Sequence, residues 1–307
     1  MRRSKAVGML LGALLIGSDA WVDAGDRPSH DKAYWLAIAR DDFRVPHGES
    51  ADALVVELNG LLGSPDPQLR DDCAYSIAAA WIYRDKRLSN ETLRSLLATW
   101  TGNLEKGLGE TGSDGILLRS FSALDLSTLA AFDNTSPFLD ETEFAFFLSA
   151  TLDYLAGEKD LQGFDASKGW MHATAHTADV LKFLGRSPRL RPADQARILE
   201  AIGAKIRAAG LVFVYGENER LARAVESLAL RSDFDHAAFT ARLAAFREDG
   251  KRLWENGPAI DPRRFQGVQN GKDLLRSLYV GLALRGHDQP AVEAVRGEIL
   301  SCLEALG

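Results

Sequence analysis

Residues Gly115–Phe132 read GILLRSFSALDLSTLAAF. Placed on a helix at 100° per residue, the apolar side chains of this stretch appear on two sides rather than one. A surface helix carries a single apolar stripe, whereas a helix apolar on two sides needs packing partners on both. The stretch therefore predicts a central helix among other helices. It also carries Arg119, which shares a face with Ala123, Leu126 and Ala130. An arginine there requires a nearby acid or an anionic ligand. Asp72, on a face with Ser76 and Ala79, and Asp160 are the acids expected to meet it.

Helical patterns extend outward in both directions. Toward the N-terminus they cover 29–39, 50–62, 66–84 and 89–104. Toward the C-terminus they cover 141–156, 167–185, 192–209, 217–230, 235–254, 262–285 and 290–306. Leu54, Val55, Leu58, Leu61 and Leu62 recur at helical spacing, and Gly63-Ser64-Pro65-Asp66-Pro67 is a turn. Gly107–Gly115 forms a glycine-rich loop. The run Leu211–Tyr215 (LVFVY) is β-like but has no strand partner, so it is expected to be a buried extended connector. The pattern predicts an all-α protein with one domain over 25–307, an α/α superhelix of stacked helical hairpins like armadillo or HEAT units. A closed α/α toroid is the alternative, and the two differ in whether the chain ends meet. Cys73 and Cys302 lie near opposite ends of that domain; only a ring would bring them within the ~7 Å Cα separation that a disulfide tolerates.

The chain has 307 residues, 46% hydrophobic and 26% charged, with a net charge of −7. That balance is ordinary for a globular protein and argues against nucleic acid as a partner, which calls for a basic stripe. The N-terminus is distinct. Arg2, Arg3 and Lys5 precede the apolar run Ala6–Gly17, and small residues follow at Ser18-Asp19-Ala20 and Val22-Asp23-Ala24. This is the pattern of a secretory signal peptide over 1–24. The apolar run falls short of the ~20 residues that a membrane span needs. The expectation is an exported protein, periplasmic or secreted, with no stable membrane anchor after cleavage.

The chemistry concentrates in Glu158–Asp179, EKDLQGFDASKGWMHATAHTAD. On a helix over 167–185, His172, His176 and Asp179 fall within an arc of about 60°, with Lys168 beside them and Trp170 on the packed side. Two histidines four residues apart can share a divalent metal such as zinc, and Asp179 is placed to ligate it or to orient an imidazole. Glu217 shares a face with Leu221, Ala224 and Leu228, so it points inward as a metal ligand or general base, while Glu219 points away. Asp179 and Glu217 are thus the candidate catalytic carboxylates. Arg119, Lys168, Asp72 and Asp160 are the candidate ligand-binding residues. The competing structural reading makes His172, His176, Asp179, Arg119 and Glu217 a hydrogen-bonded seam between helices. No Gly-x-Ser-x-Gly elbow is present, and the glycine-rich loop lacks the Lys-Ser/Thr of a phosphate cradle.

Several ordered motifs occur together: Arg70-Asp71-Asp72 with Ala74-Tyr75, Arg119 through Leu124, Glu158-Lys159-Asp160, Lys168-Gly169-Trp170, His172-Ala173, Ala175 through Asp179, and Gly216-Glu217 with Arg220-Leu221-Ala222. In this combination the chain resembles the bacterial family called Domain of Unknown Function 2785. It departs from that pattern at Gln162, where the family would place an arginine. The resemblance implies an all-helical, armadillo-like fold and no particular activity. Two functions remain: a module that binds a small molecule or a protein partner through the polar cluster, and a metal-dependent hydrolase with His172 and His176 as ligands.

Overall fold

A computed structural model describes residues 30–255, 259–285 and 289–307. The expected signal peptide lies outside the described residues. The architecture is all-α. Helices α1 (Lys32–Arg40) and α2 (Ala51–Leu58) lead into a helix over residues 68–84. That helix joins a π-helical Gln68–Tyr75, an α-helical turn α3 (Ser76–Ala79) and a π-helical Ala80–Arg84. Then follow α4 (Asn90–Glu105), α5 (Gly115–Asp133), α6 (Glu141–Gly157), α7 (Ala173–Leu184), α8 (Pro192–Ala208), α9 (Glu217–Ala229), α10 (His236–Arg252), α11 (Pro262–Arg285) and α12 (Pro290–Leu306).

Local chemistry sets these boundaries. The side chains of Asp31, Ser89 and Asp235 each accept a hydrogen bond from the first turn that follows. Asp140 and Glu143 form a reciprocal capping box at α6, satisfying two backbone donors that a helix start leaves open. Pro192 and Pro290 occupy first-turn positions, where a missing N–H costs nothing.

The helices pack in two rows. In one row α4, α6, α8 and α10 lie in series, and in the other α5, α7, α9 and α11; α12 closes against α10 and α11. The central position expected for 115–132 is observed: α5 packs on α4, on α7 and on the 68–84 helix, and every residue from Asp125 to Asp133 is buried. By length and composition α5 could cross a membrane, but most of it is buried inside the protein, which accounts for its apolar character. Among the described residues no extended contact joins α1 to α12, the contact a closed ring would require. Cys73 and Cys302 are both buried free thiols.

Two expectations fail. The histidine-bearing helix begins at Ala173, not Ser167. Residues ahead of it form a short antiparallel hairpin, pairing Phe164 with Trp170 and Asp165 with Gly169. Asp165 Oδ1 accepts from the backbone of Ser167 and Lys168 and from the Ser167 hydroxyl, so the serine closes a turn instead of capping a helix. The 211–215 connector has no strand partner, as expected, but only Phe213 is buried; Val214 and Tyr215 are exposed. Buried Asn270 on α11 holds it in place, accepting from Phe213 N at 2.8 Å and donating to Leu211 O at 2.9 Å.

Candidate functional site

The hairpin, the connector and the starts of α7 and α9 come together around His172. This residue precedes α7 with φ 51° and ψ 30°, a left-handed conformation that costs a non-glycine residue roughly 1–2 kcal/mol. Its ring nonetheless stays beside that of His176, the two centroids 5.7 Å apart. Its Nε2 lies 2.8 Å from Tyr215 O. A carbonyl only accepts, so Nε2 carries the proton and Nδ1 keeps a lone pair. Glu217 Oε1 lies 3.9 Å from the same nitrogen, and Glu217 Oε2 accepts from Tyr215 N at 2.9 Å. Glu217 is therefore inward-facing and buried, as its helical face predicts, and Glu219 is exposed.

His176 occupies the first turn of α7 and is fully enclosed. The single proton of the Ser120 hydroxyl goes to Met171 O, so the contact of 2.8 Å between Ser120 Oγ and His176 Nδ1 requires Nδ1–H to donate. The two histidines thus hold opposite tautomers, with lone pairs on Nδ1 of His172 and Nε2 of His176. Burial pushes the His176 ring down to about 3, helped by the neighbouring His172, so it is neutral at ordinary pH. Burial also lowers His172, against the attraction of Glu217. Although a serine and a histidine touch, the serine hydroxyl is engaged on both sides and sealed from solvent. The pair is a clamp between α5 and α7, not a nucleophile and its base.

Asp179 does not join the imidazoles. It ion-pairs with Lys182 at 2.8 Å and with Arg220 of α9. Among the described residues no three His, Cys, Asp or Glu side chains are placed to hold one metal ion. Of the expected set His172, His176 and Asp179, the two imidazoles stay adjacent while Asp179 is engaged by Lys182 and Arg220.

The other predicted residues fall into two groups. Arg119 lies on α5. It is fully buried, and its partner is neither Asp72 nor Asp160 but Glu158, with Nε–Oε2 2.6 Å and a second bond of 3.3 Å; Lys106 O also accepts from it. Asp160 is buried too and accepts from Gly112 N at 2.8 Å and from Gln162, tying the glycine-rich loop to the segment after α6. Both are framework groups. Asp72 is exposed, with no contact to Arg119. Lys168 sits on the hairpin turn and pairs with Asp114.

Sequence reasoning placed Trp170 in the core. It is 41% exposed and stacks on His172 with ring centroids 4.7 Å apart. Phe164 (46% exposed) and Tyr215 (45% exposed) meet it edge-on at 5.0 Å and 6.0 Å. These three rings form an aromatic rim beside the histidines. Gly169 allows it: at φ +77° it takes the left-handed turn that closes the hairpin, a conformation side-chain-bearing residues rarely adopt. On the 68–84 helix Arg70 is fully buried, donates to Lys168 O at 2.7 Å and to Ser64 O at 2.9 Å, and lies over the Phe121 ring. Its Nε is 2.8 Å from Asp71 Oδ1, a charge contact without hydrogen-bond direction. Burial pushes the Asp71 carboxyl up to about 6, although Arg70 pulls it down. Tyr75, one turn on, is pushed up to about 12 by burial and then by the nearby Asp125 and Asp179 carboxyls. Asp125 is wholly buried with neither oxygen hydrogen-bonded, and burial raises it well above the carboxylate range. Asp71, Tyr75, Trp170, Tyr215 and Arg220 are the site residues whose roles the sequence left unread. The hairpin signal at Asp165 and Gly169 was the available clue.

Fold and site together define an all-helical protein with a polar, aromatic-rimmed site at the starts of α7 and α9. The chain belongs to DUF2785, a family of proteins of unknown function, whose model matches residues 104–280. That span contains the hairpin, both histidines, Asp179 and the α9 residues, while Arg70, Asp71 and Tyr75 precede it. Comparisons with curated proteins and with solved structures returned no match.

Proposed function

We propose that this protein is an exported binding module that takes a small polar ligand with one apolar face at the Trp170 rim. The exposed stack of Trp170 on His172 carries the reading. A structural seam has no need to hold a large ring in solvent, nor to keep the next residue but one in a strained conformation. Trp170 offers a flat apolar surface beside His172, and the partly exposed Asp71 lies next to the hairpin, its Oδ2 3.8 Å from where a Cβ on Gly169 would sit. Arg119, Glu158 and Asp160 fix the framework on which the rim stands. Export rests on the N-terminal sequence pattern and is tested by fractionation with N-terminal sequencing of the mature chain. The binding reading is tested by a thermal-shift screen of saccharides, short peptides and small metabolites against the full-length mature protein. Hits that shift the wild type but neither Trp170→Ala nor His172→Ala support it; hits unaffected by both replacements refute it.

A second reading, a metal-dependent hydrolase using His172 and His176, is favoured by one observation: each imidazole keeps an unprotonated nitrogen while its other nitrogen is held by the protein. Neutral imidazoles of fixed tautomer are the form that binds zinc. Elemental analysis of the purified protein decides it. Stoichiometric metal that disappears in the His172→Ala, His176→Ala double variant would establish this reading, and metal-free protein would end it.

A further inference from the structure

We propose that a cavity at the C-terminal end of α6 binds a short aliphatic carboxylate through the ammonium of Lys205. The cavity has a volume of about 170 Å3; small and apolar side chains, Ala156, Leu161, Ala201, Ala204 and Ala208 among them, form most of its wall, and Glu158, Lys159 and Lys205 complete it. Lys205 is only 7% exposed. Its ammonium has three N–H donors, and among the described residues it makes one hydrogen bond, to Glu158 O at 2.7 Å. The nearest carboxylate does not serve as its counterion by contact. Glu158 Oε1 and Oε2 are bonded to Arg119 and to Asp160 N. The other charged side chain bordering the space, Lys159, is a second cation and donates to Ala156 O at 3.1 Å.

A buried ammonium with two open donors in an apolar space is costly unless an acceptor arrives. Burial lowers Lys205 to about 8, which still leaves it mostly charged at neutral pH. The matching ligand has a negatively charged acceptor at one end and an aliphatic tail at the other. At about 30 Å3 per water-sized volume, the cavity has room for roughly six such volumes, the size of a four- to six-carbon carboxylate.

The competing account makes Lys205 a clamp on the last carbonyl of α6 and nothing more. Calorimetric titration of the full-length mature protein with hexanoate, and with hexanol as a neutral analogue, separates the two. We expect saturable hexanoate binding, weaker by about tenfold for hexanol and by about tenfold or more in Lys205→Met, which keeps the stem and removes the charge. Ala201→Leu fills the cavity from its wall with the lysine intact, and it too should abolish binding; it carries the test if Lys205→Met fails to fold. No saturation by hexanoate in the wild type overturns the proposal. So does hexanoate affinity within twofold of wild type in either variant.

Discussion

Replacing His176 by asparagine should change how stability depends on pH more than it changes stability at pH 7.5. The ring is neutral in the native protein because burial, with His172 beside it, lowers it to about 3. In the unfolded chain a histidine titrates near ~6.5. Between those values the unfolded state holds a proton that the native state lacks, so stability falls as pH falls, by about 1.4 kcal/mol per unit. Integrated from pH 7.5 to 4.5 that amounts to about 2.7 kcal/mol, a large share of the roughly 5–15 kcal/mol that separates folded from unfolded domains. Asp71 acts with the opposite sign. Its folded value of about 6 lies above the ordinary carboxylate value, so the native state takes up a proton first and gains stability on acidification through the same range. The wild-type slope alone therefore hides the histidine, and the difference between wild type and variant reveals it. Asparagine keeps an amide donor near the position of Nδ1 for Ser120 and cannot titrate. Urea denaturation at pH 7.5, 6.0, 5.0 and 4.5 should show the wild-type advantage shrinking by about 2–3 kcal/mol on acidification. A gap that stays constant within about 0.5 kcal/mol across that range would refute the assignment of a buried neutral imidazole.

Two further outcomes follow from the same geometry. Arg119→Met leaves Glu158 buried without its counter-charge and should cost about 3–5 kcal/mol in denaturant melts, much of it recovered when Glu158→Gln is added. His172→Gly should be more stable than His172→Ala by about 1–2 kcal/mol in thermal melts, because both lose the ring and only glycine relaxes the left-handed turn; equal stability would show that the turn stores no strain.

The helices were legible because each has a strong local signal. The two-sided apolar pattern of α5 reflects real neighbours on both sides, and Asp140, Pro192 and Pro290 mark their helix starts by local chemistry alone. What failed was local as well as distant. Ser167 carries the residue type of a helix cap, yet Asp165 two positions earlier captures it in a turn, and Gly169 at positive φ completes the hairpin. That displaced His172 from the helix and exposed Trp170. The partner of Arg119 was ambiguous for a different reason. Asp72, Glu158 and Asp160 are equivalent as charges, and only the approach of the end of α6 to α5 selects Glu158. The pairing of Asp179 with Arg220 depends likewise on how α7 meets α9, which no single-helix periodicity encodes.

The central claim is that the Trp170 rim is a ligand site, and tryptophan itself reports on it. A fluorescence titration of the wild type, with a ligand taken from the thermal-shift screen, should give a saturable change that Trp170→Phe removes, with affinity reduced in His172→Ala. A saturable change of the same size and affinity in both variants would place the ligand elsewhere and contradict the account.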